Sequence, residues 1–525
     1  MDEALLKKQS QTSVGSAKSP MAHSSTFSMG ADSTGSNSKG AMMNRIEYEA
    51  DGREFTSLHA AKRNKLGAMK TLKTFALGMH DEDYNKKWLP EVDNHDEMPL
   101  SGLIINMGSD LMPAGLLPLS QGMAASGLGW LASAVFTVIF MLLSSYMLII
   151  VSKTASHEDV LAKDLKLTFK GLWQVLVGKG DWVPPLTVFL VCFGNCVAYS
   201  CFFSQLLTGA LPGLRVDSYL EGLPISPRQI VLVVVTIFPL IKLCMLKDLS
   251  ALAPSSFAGV VMVIYTTIFM GVRAFDGTYA PGGILYDTLP VPQPPVITKA
   301  SIFALGKSPM ALCNNLALGY LSHYNGMKYF RELENHTVSR FSIGVRTAMG
   351  VSAFVYILVM FFGYKTFGSV CSSVILDNYN NEDDVWATIA RVGMAMSIVF
   401  SYPLMFAGLR EAAVATLKAF MPAKGDRFDE ISFQNVLTLV IIAGITIIAF
   451  FTDDPSMVVG LVGSLLGCSV IYLLPAFFFV KAHQDKPAFR LEVIGACLLF
   501  LLGVALAILG VMDVISEGDE SPGYD

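Results

Sequence analysis

Eleven stretches of this chain are each apolar over about the 20 residues that a helix needs to cross a bilayer. They run 100–123, 129–152, 183–211, 229–246, 250–272, 302–323, 343–364, 387–409, 432–451, 456–480 and 492–513. Inside hydrocarbon every backbone N–H and C=O must be satisfied by protein, which leaves helices or a closed β-barrel. Runs of this length, several of them uncharged such as 129–151, 249–272 and 455–480, predict an all-α polytopic membrane protein. The weakest spans are 229–246, with Pro239 and Lys242, and 302–323, with Lys307 and Pro309. Charged residues make up 15% of the chain, against about 25% in soluble domains, so one membrane domain can hold most of it.

Three regions follow. Residues 1–98 form a largely disordered tail, rich in Ser, Gly, Thr, Ala and Met over 1–44. Within it, Ala60–Met79 reads either as a basic amphipathic helix on the membrane surface or as a solvated basic face. Residues 99–513 form the membrane domain, and 514–525 a short acidic tail. The first ninety-odd residues lack the apolar core of a secretory signal, so the first span is expected to direct insertion. With the N-terminus in the cytoplasm, cytoplasmic loops hold sixteen Lys and Arg and outer loops five. That asymmetry supports the orientation and places the C-terminus outside or in a lumen. The sequon Asn335-His-Thr337 then lies on the cytoplasmic side and is not expected to be glycosylated. Seven of the eight Cys fall in apolar spans, a distribution of small hydrophobes rather than of a disulfide framework.

The first span carries Asn106-Met-Gly-Ser-Asp-Leu-Met-Pro-Ala-Gly-Leu-Leu-Pro118, with two Pro, two Gly and an Asp near its middle. Pro113 and Pro118 lack an N–H, and Gly108 and Gly115 let the backbone leave helical geometry. The stretch reads as a broken helix whose loose polar groups bind something, or as a Pro kink with Asp110 satisfied by a neighbour. Span 6 is interrupted too, at Gly306-Lys-Ser-Pro309, Asn314-Asn315 and Gly319-Tyr320. Spans 1 and 6 run in opposite directions, and interrupted segments at matching places in two halves point to an inverted repeat with a midplane site. Spans 1–5 and 6–10 make the repeats, with span 11 appended. Half-helix N-termini suit a carboxylate and unwound carbonyls suit an ammonium or a cation, the two ends of an amino acid. Interhelical hydrogen bonding is the competing use of Asn314 and Asn315.

Over about 100–480 the chain resembles the amino acid/auxin permease family, in particular its sodium-coupled neutral amino acid transporter branch. Five motifs carry the likeness, in order and at family spacing. They are Ile105 to Ser120 with Ser126-Gly127, Gly319-Tyr-Leu-Ser-His323 through Arg331-Glu-Leu-Glu334, Gly363 to Gly368 with Leu376-Asp-Asn-Tyr379, Ala390-Arg391 through Ser401-Tyr-Pro403, and Leu461-Val-Gly463 with Leu474-Pro475. Pro113-Ala114-Gly115 occupies the place of the family's Gly-Ser-Gly break. The resemblance implies a sodium site built from a helix 1 amide and helix 8 hydroxyls. Here the helix 1 position is Ser109, beside Asp110, and in helix 8 Ser401 keeps a hydroxyl while Val399 stands where Thr is common. The coupling ion is left open between sodium and proton.

Asp110 inside the membrane is a candidate proton carrier, with a fixed ion pair to Lys307 or a water-exposed position as the alternatives. Arg391 reads as snorkelling at the outer start of span 8. Asn195, Tyr199 and Ser204 of span 3 either face the pocket or pack between helices. His323 is a gate candidate or a hydrogen-bonded interfacial residue.

The expectation is a secondary active amino acid transporter of the LeuT-like type, a 5+5 inverted repeat plus one helix, working by alternating access. Asn106, Ser109, Pro113, Ala114 and Gly115 are expected to line the substrate from helix 1, with Asn315 and Gly319 from helix 6. Asp110, Ser397 and Ser401 are the ion-coupling candidates. The alternative is a non-transporting amino acid sensor that signals through the tail. No clustered nucleophile, base or metal set suggests an enzyme. No cofactor beyond a coupling H+ or Na+ is expected. The expected partners are an amino acid and the lipid bilayer, not nucleic acid, and the membrane is plasma or vacuolar/lysosomal.

Overall fold

The computed structural model of the protein describes residues 98–156, 168–220, 224–246, 253–288, 308–452 and 454–520. The basic segment 60–79 and Lys307 lie outside them. The described residues fold into helices. Among them nine helices are long and apolar enough to cross a membrane, or ten if one bent pair counts as a single span.

The bent pair is α1 (Leu100–Gly115) and α2 (Leu119–Ser126), which meet at 50°. Then come α3 (Trp130–Ala155), the short α4 (Phe169–Leu176) and α5 (Val183–Leu214). Next are α6 (Pro227–Met245) and α7 (Ala253–Phe275). Span 6 is described from α8 (Met310–Gly319), and α9 (Gly326–Glu332) follows its exit. The remaining spans are α10 (Val338–Phe367), α11 (Val385–Phe420), α12 (Ile431–Phe451), α13 (Pro455–His483) and α14 (Arg490–Glu520).

Local chemistry sets many of the ends. Ser226 and Gln229 form a capping box at the start of α6. Thr337 caps α10 by accepting from Arg340 N, and Asp384 caps α11 by accepting from Trp386 N and Ala387 N. Each satisfies backbone donors that a helix start leaves without partners. Gly127, at φ +63°, closes α2 in the left-handed region that favours glycine.

Helix α1 sits among α7, α8, α10 and α11, and α5 runs beside α11. The inward side of α1 is closed by Leu103 and Met107, both fully buried. Helices α12 and α14 instead leave Val436, Val440, Ile447, Leu498, Leu501 and Ile508 exposed, apolar surface that suits lipid. Half-buried Lys153 and buried Glu492 pair at 3.0 Å and fasten the end of α3 to the start of α14. The start of α1 is fastened as well. Met98 N donates to Glu332 O at 2.6 Å, and Glu334 N donates to Met98 O at 2.9 Å.

Candidate functional site

The break in the first span falls just after the place expected. Helix α1 runs through Pro113 and Ala114 to Gly115, and the chain leaves helical geometry at Leu116–Pro118. Pro113 removes a single N–H, which a buried helix survives. Pro118 removes a second, and its fixed φ suits the start of α2. The carbonyls around the break are taken by protein. Ile375 N donates to Leu117 O at 3.3 Å, Asn315 Nδ2 to Pro118 O at 2.8 Å, and Tyr356 OH to Leu111 O at 2.7 Å.

Span 6 breaks opposite. Helix α8 ends at Gly319, and Tyr320–Ser322 are non-helical. The Tyr356 hydroxyl lies 2.8 Å from Gly319 O as well. One phenol proton thus stands between the carbonyls of both interrupted helices. The backbones approach here because Gly115 and Gly319 have no side chains. Asn315 faces the same break, its Nδ2 also 3.5 Å from Gln121 Oε1.

Asp110 sits in the penultimate turn of α1, 3% exposed. Its carboxylate accepts from the Tyr324 hydroxyl and, at 3.4 Å, from that of Tyr329. Its backbone carbonyl accepts from Tyr199 of α5 at 3.3 Å. Asp110 is therefore buried, not water-exposed, and no cation contacts it among the described residues.

The other expected residues divide. Asn106 is half-buried, and its amide donates to Met98 Sδ at 3.3 Å. Ser109 Oγ is buried with no hydrogen-bond partner, as is Asn195 Nδ2. Ser397 Oγ donates to Gly259 O of α7 at 3.1 Å, and Ser401 Oγ to Ser397 O of its own helix at 3.0 Å. Ser204 Oγ likewise turns back to Cys201 O. His323 follows the break in span 6. It is fully buried, with Nε2 3.0 Å from Ser144 O and Nδ1 without a partner.

Arg391 does not snorkel either. It is 1% exposed and donates to Leu376 O at 2.9 Å, Tyr379 O at 2.7 Å and Asn380 O at 3.3 Å. Carbonyls freed by the 375–380 turn hold the guanidinium in place of water. In the same turn Asp377 accepts from Gln205 Nε2 at 2.6 Å. Burial lifts its carboxyl to about 6, against the opposing pull of Arg391 and of the Gln205 hydrogen bond. Nearby, Asp384 takes a two-point contact from Arg273, at 2.8 and 2.9 Å, and the Tyr279 hydroxyl at 2.9 Å.

At the α4–α9 end lies a cavity of about 540 Å³, lined among others by Phe169, Val188, Tyr324, Lys328 and Arg410. Its charges are largely matched on the spot, with Lys418 at 2.6 Å from Asp429 and Lys328 at 3.9 Å from Glu411. Tyr324 belongs to both places, since its ring lines the cavity and its hydroxyl reaches Asp110.

Sequence reasoning missed Tyr324, Tyr329 and Tyr356. A tyrosine in an apolar span needs a partner for its hydroxyl, and Tyr356, within Val355-Tyr-Ile357, carried that signal.

Comparison with known proteins converges on one family. The family profile described as "Transmembrane amino acid transporter protein" matches residues 104–516. The vacuolar amino acid transporter 5 of Schizosaccharomyces pombe is 24% identical over 387 residues, 73% of this chain and 84% of that protein. The putative sodium-coupled neutral amino acid transporter 11 of Rattus norvegicus is 23% identical over 429 residues, covering 81% and 87%. The sodium-coupled neutral amino acid symporter 2 of Danio rerio is 21% identical over 424 residues, covering 78% and 81%.

Proposed function

This chain belongs to the transmembrane amino acid transporter family, and from that premise we propose that it is a secondary active amino acid transporter working by alternating access. The observation that carries the reading is the meeting of two interrupted helices, α1–α2 and α8, at one buried place where backbone carbonyls are held by the Tyr356 hydroxyl. Such carbonyls suit an ammonium, and Asn315 adds a polar group at the same break. A LeuT-like arrangement, two inverted five-helix repeats plus α14, gives this placement a reason.

Asp110 is the coupling group in this reading, and the ion is a proton. Among the described residues its carboxylate is held by phenols, and a carboxylate so buried is costly in its charged form, so a proton makes its burial tolerable. The cavity bounded by Tyr324 is the cytoplasmic approach, with the N-terminus on that side, in a plasma or vacuolar/lysosomal membrane.

Uptake of radiolabelled amino acids into proteoliposomes tests the proposal, with an inward proton gradient, a sodium gradient, or neither. Accumulation under the proton gradient that Asp110→Asn abolishes is the expected result. Sodium-driven accumulation that survives the substitution would remove Asp110 from coupling. Binding without accumulation under any gradient would make the protein a sensor.

A further inference from the structure

Resting on the transporter reading, we propose that Asp110 also selects substrate, receiving the positive side-chain end of a basic amino acid in place of the coupling proton.

Among the described residues, the groups that meet the Asp110 side chain are hydroxyls. Tyr324 and Tyr329 donate to its carboxylate, and Tyr199 donates to its backbone carbonyl. Hydroxyl hydrogen bonds solvate a carboxylate but do not neutralise it, and a buried charge without a counter-charge is unfavourable. Two species supply the missing positive charge, a proton or a cationic ligand. A phenol serves both cases, because its oxygen accepts as well as donates. Against a bare carboxylate, Tyr324 and Tyr329 donate. Against an ammonium seated on Asp110, their oxygens accept, and the three N–H donors of that ammonium find one carboxylate and two phenols. Tyrosine rings around a cation add attraction of their own.

Reach fits as well. Six residues separate Asp110 from Leu116 at the break, about 9 Å along a helix axis. An amino acid whose backbone groups sit at the far end of the break, beside Pro118 and Asn315, reaches Asp110 through a long side chain. Lysine and arginine carry their charge on such flexible stems. Tyr324 lines the cavity and donates its hydroxyl to this carboxylate, so displacement of that one side chain would open Asp110 toward the cavity.

The charge balance then makes a specific claim. A neutral amino acid moves with one proton on Asp110, and lysine moves with none, so each cycle carries one positive charge. The probes are L-lysine and L-leucine, with wild-type protein in proteoliposomes and a pH-sensitive dye inside. Leucine entry is expected to acidify the lumen. Lysine entry is expected to follow an imposed membrane potential with no acidification. In Asp110→Asn the ratio of lysine to leucine binding, read by scintillation proximity, is expected to fall at least tenfold. Leucine transport without any lysine transport in the wild type would overturn the proposal and leave the transporter reading standing. Lysine entry with one proton, or equal loss of both ligands in the variant, would overturn it too. Absence of uptake for both probes would overturn the proposal as well, and uptake of the other radiolabelled amino acids would then decide the transporter reading. If Asp110→Asn does not fold, the dye measurement on the wild type still decides.

Discussion

Gly115 and Gly319 face each other so closely that a Cβ built on the first would lie 2.8 Å from the Cα of the second. The same Cβ would stand 2.4 Å from the Tyr356 hydroxyl. The contact between the two interrupted helices is therefore backbone against backbone.

A methyl group at this contact tests it, because the two glycines are not equivalent. In Gly115→Ala the new atom meets a neighbouring backbone, which cannot swing aside. In Gly319→Ala it meets the Tyr356 ring at 3.3 Å, which gives more easily. Gly115→Ala should cost about 1–3 kcal/mol of stability by overpacking, with loss of uptake. Gly319→Ala should cost less. Thermal unfolding of the detergent-solubilised variants reads the order, and a milder Gly115→Ala would contradict it.

Tyr356→Phe keeps the ring and removes the bridging hydroxyl. Leu111 O and Gly319 O lose a donor, and a buried polar group left without one costs about 1–3 kcal/mol. The melting temperature should fall, and uptake should fall at least tenfold, since carbonyls held at fixed positions are what the substrate would meet. Uptake at wild-type level with a normal melting curve would show that the bridge has no part in transport.

Asn315→Asp exchanges a donor for an acceptor at nearly constant volume. The Asn315 amide donates to Pro118 O, and a carboxylate there faces that carbonyl and Gln121 Oε1 with no hydrogen to give. Destabilisation should be strong at pH 8 and relieved toward pH 5, as protonation restores a donor. A melting temperature independent of pH would show that the side chain does not hold the break.

Asp377 gives a pH dependence with a definite sign. Its folded carboxyl, lifted to about 6 by burial, holds a proton that the unfolded chain with its value of 3.8 has already released. Between those values the native state binds more protons, so its contribution to stability is present below about 4 and lost as pH rises through about 6. Asp377→Asn removes the titration. The melting temperature of the variant minus that of wild type should therefore climb from pH 4 to pH 7. A flat difference would leave the carboxyl at its ordinary value.

Much of this was legible in the residues. Apolar run length gave the spans, because hydrocarbon admits so few backbone solutions, and Pro113, Gly115, Pro118, Asn315 and Gly319 marked the interrupted helices. The place of the first break was off by a few residues, since a buried helix absorbs one missing N–H and composition does not say which proline yields. Partners were the harder matter. Arg391 looked like a terminal cation bound for the interface, yet the turn at 375–380 comes back over it with three carbonyls. Asp110 announced a buried acid, but the tyrosines around its carboxylate lie more than 200 residues away in sequence. One-dimensional spacing does not bring them together.

The clasp between Met98 and the Glu332–Glu334 strand of chain has a mechanical meaning. It joins the start of one interrupted helix to the stretch that follows the other. Two backbone hydrogen bonds therefore tie the entry to α1 to the chain that leaves span 6. Any displacement of α1 away from that chain would first have to undo both bonds, so the N-terminal end of the interrupted helix is held by its own backbone rather than by side chains.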